Sequence, residues 1–179
     1  FFAVNLLDRD RASFSRTLKA MQSKYGREVI PIQVPIGEES SFEGVVDLVS
    51  GKAYTWPHDE SGKAAEVAVP AAMADDVAAA REALIEMVAE QDEKLMESYL
   101  EKGALDPETF RKGLKAAVEA RALCPVFALA GGKNIAVQPL MDALVDLAPS
   151  PSWRPFTANV NGEDQQLAVS AEAPFVAYV

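Results

Sequence analysis

An apolar strand that runs into Asn-x-x-Asp within the first ten residues constrains this chain more than any other feature. Phe1-Phe2-Ala3-Val4 leads directly into Asn5-Leu6-Leu7-Asp8-Arg9-Asp10. In open α/β sheets, ligands bind at the loops that leave the C-terminal ends of strands. Asn5 and Asp8 therefore stand at a ligand-binding position. The strand reads as buried, and a folded protein rarely begins inside its own core, so part of the function is expected upstream of residue 1.

The pattern that follows predicts an α/β protein. Phe14, Leu18 and Met21 at helical spacing predict a helix over residues 10–25, with Gly26 suited to end it. Taken alone, Asp8 or Asp10 is most simply the N-cap of that helix. Residues 29–36 read as one strand whose two prolines, Pro31 and Pro35, favour an edge position or an early end. Residues 42–56 read as a β-hairpin closed by the two-residue turn Ser50-Gly51, and residues 57–70 as a polar loop. Helical spacing then extends over residues 71–100, broken near Gln91-Asp92, and Asp106-Pro107 starts a further helix to residue 122. A buried strand from Cys124 to Ala130, the loop Gly131-Gly132-Lys133-Asn134, a helix over 137–147 and a strand-like alternation over 173–179 complete the chain. A β-α-β unit, an antiparallel and helical excursion, and a returning β-α predict an open parallel sheet interrupted by an insertion. Its crossovers are expected to be right-handed.

Charge and composition exclude several function classes. A net charge of -10 opposes binding to a phosphate backbone and favours a basic protein partner. One cysteine, Cys124, allows no internal disulfide and fits a reducing compartment, so the expected location is the cytoplasm. The apolar runs fall short of the roughly 20 residues a membrane helix needs. His58, the only histidine, has too few convergent ligands near it for a metal site. Cys124 reads as a small core residue and not a nucleophile. The acids Glu86, Glu90, Asp92, Glu93, Glu97 and Glu101 read as the wet face of a helix, dense enough to meet a partner.

The chemistry of Asn5 and Asp8 suits one base. A carboxylate at Asp8 accepts two hydrogen bonds from the N1 and exocyclic N2 groups of guanine, a donor pair that adenine does not present. Asn5 can tie the base to neighbouring loops through its amide. Gly131, after the second strand, allows the backbone to approach a ligand closely. No Gly-x-x-x-x-Gly-Lys-Ser/Thr phosphate loop occurs in these 179 residues.

These segments together resemble elongation factor G, the translational GTPase of bacterial ribosomes, over essentially the whole chain. Asn5-Leu6-Leu7-Asp8-Arg9 resembles that family's Asn-Lys-x-Asp-Arg. Pro35-Ile36-Gly37-Glu38-Glu39 with the run from Phe42 to Val49 resembles its entry into an inserted subdomain. Glu93-Lys94-Leu95-Met96-Glu97-Ser98-Tyr99-Leu100 is similar to its Glu-Leu-Met-Glu-Lys-Tyr-Leu helix. The run from Lys133 to Pro151 is similar to the segment that closes its G domain.

The resemblance implies a partial P-loop-GTPase-type sheet, residues 1–34 and 123–150, interrupted by an inserted α+β G′ subdomain, residues 35–122. Residues 151–179 would be a linker and the start of a β-barrel domain. It implies guanine contacts by Asn5, Asp8, Ala130 and Gly131, with GTP or GDP and Mg²⁺ in the complete protein and no ligand on this piece alone. It also implies the ribosome as partner, with the stalk protein meeting the insertion, and neither direct nucleic-acid nor membrane binding by this piece. Three positions depart from the family pattern: Leu6 replaces its lysine, and Ala130-Gly131 replaces its Ser-Ala. The rival expectation is a non-enzymatic paralogue, impaired in nucleotide binding, whose insertion is an interaction module.

Overall fold

The computed structural model describes residues 1–57, 62–150, 156–160, 162–167, 169–170 and 172–173. His58 lies outside the described residues, as does the strand-like alternation from residue 174 onward. The chain forms two compact units, Phe1–Leu147 and Ala148–Val179.

In chain order the first unit holds β1 (Phe2–Val4), α1 (Phe14–Tyr25), β2 (Val29–Pro31), β3 (Gln33–Ile36), β4 (Gly44–Asp47), β5 (Lys52–Thr55) and β6 (Ala65–Val67). It continues with α2 (Ala74–Ala89), α3 (Glu93–Lys102), α4 (Pro107–Glu119), β7 (Cys124–Ala128) and α5 (Val137–Leu147). β1, β7 and β2 make a three-stranded parallel sheet with β7 in the middle. Its central place explains why Val126, Phe127 and Ala128 are fully buried. β1 departs from the expected buried strand. Among the described residues its neighbour is β7 alone; Ala3 is exposed and Phe1 is 41% exposed.

β3 to β6 form a separate four-stranded antiparallel sheet in sequential order. The single strand expected over 29–36 is thus two strands in two sheets. At Ile32 the backbone changes partner: its N–H donates to Val126 and its carbonyl accepts from Leu48. The hairpin also differs from expectation, because Asp47 pairs with Lys52 and residues 48–51 form a four-residue loop. Leu48 is fully buried and anchors that loop. The Asp47 carboxylate accepts from the Ser50 N–H (2.6 Å) and hydroxyl (2.7 Å), and the Gly51 N–H bonds to the Asp47 carbonyl. β6 stands where a polar loop was expected; Ala65, Glu66 and Val67 alternate apolar and polar, but over only three residues, all of them exposed.

Helices α1, α3 and α4 begin at short polar residues that accept from the first free amides, whereas α2 starts at Met73 without a side-chain cap. Ser13, and neither Asp8 nor Asp10, caps α1 through the Arg16 N–H (3.4 Å), so the helix starts four residues later than expected. Asp92 accepts from the Lys94 and Leu95 N–H groups and opens α3 after the expected break. Asp106 accepts from the Thr109 N–H ahead of Pro107 at the start of α4. α4 ends at Glu119, short of residue 122, where Arg121 takes a left-handed φ of 62°.

The second unit contains one antiparallel hairpin, β8 (Phe156–Val160) with β9 (Glu163–Leu167). The architecture is therefore mixed α/β, a parallel sheet together with antiparallel ones. Among the described residues no helix is long and apolar enough to cross a membrane.

Candidate functional site

Parallel pairing of β1 with β7 brings two distant loops to one edge. Val4 lies opposite Ala128 at the C-terminal end of both strands, so residues 5–13 and 129–136 leave side by side. Backbone bonds join the loops at once: the Leu129 N–H donates to Val4 (3.0 Å) and the Leu7 N–H to Leu129 (3.3 Å). Leu7 is 4% exposed and pins its loop to the core.

Asn5 bridges the two loops with one atom. Its Oδ1 accepts from the Leu6 N–H at 2.7 Å and from the Gly131 N–H at 2.9 Å. The side-chain NH₂ remains its second polar handle. Gly131 thus meets Asn5 through its N–H, as a tie between the two loops. Asp8 faces Lys133, whose Nζ lies 3.3 Å from Oδ2; the Asp8 side chain is only 9% exposed. Low exposure weakens solvent screening of that pair.

Ala130 plays a different part from the other three. It is fully buried, exchanges N–H and carbonyl bonds with Ile135 (both 3.1 Å), and its carbonyl also accepts from the Lys133 N–H. Its polar groups shape the loop and are not turned to a ligand. Leu6 is 50% exposed beside Asn5 and holds a left-handed φ of 61°.

The loop over 130–136 is held by contacts that the sequence does not reveal. Lys133, Asn134 and Gln138 stand in the sequence as part of a resemblance to a family segment, without their partners. Gln138 in α5 joins Asn134 to Trp56, and Gln33 in β3 accepts from the Ala128 N–H at 3.3 Å. The Gln138–Asn134 contact is four residues apart, but those of Trp56 with Gln138 and of Gln33 with Ala128 span separate elements, and no local spacing encodes them.

Other candidates stand apart from this edge. Cys124 is half-buried at the start of β7. The acids of α2 and α3 are exposed, and part of that face borders a groove of about 580 Å³ floored by Met96 and Leu100. A cavity of about 690 Å³ in the first unit is lined by Trp56, Leu114 and Phe127 together with the charged Arg111, Lys115 and Asp142. Neither includes Asn5, Asp8, Ala130 or Gly131. Among the described residues no group of three or more His, Cys, Asp or Glu is placed to hold a metal ion.

Compared with models of protein families, the chain matches none. Among solved structures it is similar to ttk003000868 from Thermus thermophilus, with 31% identity and a TM-score of 0.74 over 84% of this chain and 22% of that one. The chain thus spans about a fifth of the length of the solved structure it matches.

Proposed function

We propose that the chain is the base-recognition part of an elongation-factor-G-like translational GTPase, a longer protein that binds GTP or GDP and acts on the ribosome. Residues 1–34 and 123–150 belong in this reading to a GTPase-type domain. Residues 35–122 are its inserted subdomain, with an acidic face toward a basic partner such as the ribosomal stalk, and residues 151–179 lead into a following barrel. One observation carries the reading: Asn5 Oδ1 accepts the Gly131 N–H at 2.9 Å across 126 positions of sequence. That contact joins the two segments whose motifs resemble guanine-recognition loops, at the strand ends where open α/β sheets bind ligands. The coverage of only 22% of a longer relative suits a piece of a multidomain protein.

The donor and acceptor set fits the base. Asp8 offers two carboxylate oxygens to the N1 and N2 groups of guanine, and Lys133 lies against only one of them, Oδ2. Asn5 offers its side-chain NH₂, and Leu6 an exposed apolar side chain where the family carries lysine. Bound Mg²⁺ would neutralise phosphate charge. Phosphates and metal would be held by residues outside these 179, which contain no phosphate loop.

The second reading is the nucleotide-impaired interaction module, favoured by Leu6 in place of the lysine and by the Asp8 carboxylate already paired with Lys133. A fluorescent GDP titration with ADP as competitor, on the protein that contains this chain, separates the two. Tight binding that ADP does not displace is expected. Asp8→Asn should weaken GDP by about a hundredfold or more, because two charge-assisted bonds are lost. The same variant should strengthen xanthosine diphosphate, whose C2 carbonyl accepts from the new amide. A wild type that binds no GDP, or an Asp8→Asn variant that binds it unchanged, overturns the GTPase reading.

A further inference from the structure

We infer that Trp56 and Gln138 are positioning residues through which the antiparallel sheet sets the geometry of the Asn5–Gly131 edge. The functional meaning of this link rests on the base-recognition reading above; the link itself does not. Trp56 follows β5, is 2% exposed, and is fixed to the sheet by its backbone N–H, which donates to Glu43 at 2.9 Å. Its indole Nε1–H donates to Gln138 Oε1 at 3.2 Å, and Gln138 Nε2 donates to Asn134 Oδ1 at 3.3 Å. The Asn134 N–H bonds to the Gly131 carbonyl at 3.1 Å, and the Gly131 N–H to Asn5 Oδ1 at 2.9 Å. A continuous hydrogen-bonded series runs from the sheet to Asn5.

The series has a fixed direction for a chemical reason. An indole N–H can only donate, so it takes the oxygen of the Gln138 amide and turns the NH₂ toward Asn134. Asn134 must then accept, which holds its side chain while its backbone keeps a left-handed φ of 54°. The close approach of Gly62, where a Cβ would lie 2.2 Å from Asn134 Nδ2 and 2.8 Å from Gln138 Nε2, encloses both amides. Enclosure raises the worth of each bond relative to water.

Gln33 supplies an independent second tie between the same two parts. It is fully buried in β3 and accepts the N–H of Ala128, the last residue of β7, while its Nε2 has no partner. An unpaired buried donor is costly, and an apolar side chain there would avoid that cost. Packing alone does not account for Gln33. Holding the end of β7 against the antiparallel sheet does.

The test compares amide hydrogen exchange in the wild-type chain, Trp56→Phe and Gln138→Met, all without nucleotide. Both variants keep an apolar body of similar shape and lose the bond. Exchange over 130–135 should accelerate about fivefold, as expected for loss of one hydrogen bond, while α3 keeps its wild-type rates. Unchanged exchange at 130–135 in either folded variant, or uniform acceleration that includes α3, overturns the link. Trp56 emission in a variant of the nucleotide-binding protein that keeps Trp56 as its sole tryptophan should shift on addition of GDP. If GDP binds and Trp56 does not respond, the link lacks its functional role. If GDP does not bind, the base reading fails while the exchange result still decides the link.

Discussion

Leu6, Asn134 and Ala136 hold left-handed backbone, with φ of 61°, 54° and 58°, in the two loops that leave β1 and β7. Asn tolerates this region, but Leu and Ala pay about 1–2 kcal/mol each for it. Strain of this kind concentrates at ligand sites, where surrounding contacts over-determine the backbone. Here those contacts are the buried Leu7, the Asn5 bridge and the Ala130–Ile135 pair. Gly131, by contrast, is not held by its lack of a side chain. A Cβ there would lie 3.5 Å from Asn5 Oδ1, an ordinary contact, so Gly131→Ala should leave stability unchanged or raise it by about 0.4–1 kcal/mol through the unfolded chain. Gly44 in β4 is the opposite case. A Cβ would fall 2.0 Å from the Tyr54 carbonyl oxygen, a backbone atom that the sheet fixes, and Gly44→Ala should cost about 2–3 kcal/mol. Urea unfolding of both variants checks the contrast, and equal losses would refute it.

At the scale of elements, the sequence is legible where one local signal decides the outcome. Helix α5 spans 137–147 as its periodicity predicts, and Asp92, Gly103 and Asp106 mark helix ends by their own chemistry. It is illegible where two partners compete for one segment. Residues 29–36 carry a single apolar pattern, and only the presence of both β7 and β4 divides them between two sheets at Ile32. β6 is recruited by an exposed edge, with Lys52 and Glu66 paired across it at 2.9 Å, and its own apolar-polar alternation is only three residues long, too short to mark a strand. Asn5 and Asp8 could be picked out as candidates from spacing, and Lys133 and Gln138 by resemblance; that Lys133 meets Asp8 and Gln138 meets Trp56 could not, because tertiary geometry supplies those contacts. The Asp106 cap yields a prediction about pH. Hydrogen bonds from the Thr109 side chain, first, and from its backbone N–H hold the Asp106 carboxyl below its ordinary value of 3.8. A depressed folded pKa gives stability that is present above the unfolded value and lost as pH falls through the folded one. Asn caps nearly as well as Asp but does not titrate. The stability difference between wild type and Asp106→Asn, followed by urea midpoints, should therefore be constant above about pH 5 and change only on acidification through the carboxylate range. A difference independent of pH down to about 2 would remove the charged cap from the account.

The whole molecule carries a net charge of -10, and its ion pairs do little to offset that. Four are present among the described residues, and in three of them, Arg27–Glu90, Lys52–Glu66 and Lys112–Glu108, both side chains are at least 36% exposed. Such pairs contribute little and are screened by salt. Repulsion among the acids acts over longer distances, because at about 0.01 M salt the screening length is roughly 30 Å and at about 0.1 M roughly 10 Å. The exposed acids of α2 and α3, Glu86, Glu90, Asp92, Glu93, Glu97 and Glu101, lie within that range of one another along consecutive helical turns. Salt therefore removes more repulsion than attraction. Relief of about 1 kcal/mol of self-repulsion should raise the thermal midpoint by about 2–4 °C between low and moderate salt for a chain of this size. Glu97→Lys, placed on that exposed face, should raise the midpoint at low salt and flatten the salt response. Asp8–Lys133 should be screened less than the three exposed pairs, since the Asp8 side chain is 9% exposed, but not fully protected, since that of Lys133 is 43% exposed. A midpoint that falls as salt is added would mean that attraction between the ion pairs outweighs repulsion in the acidic face, and that face would then have no excess charge to offer a basic partner.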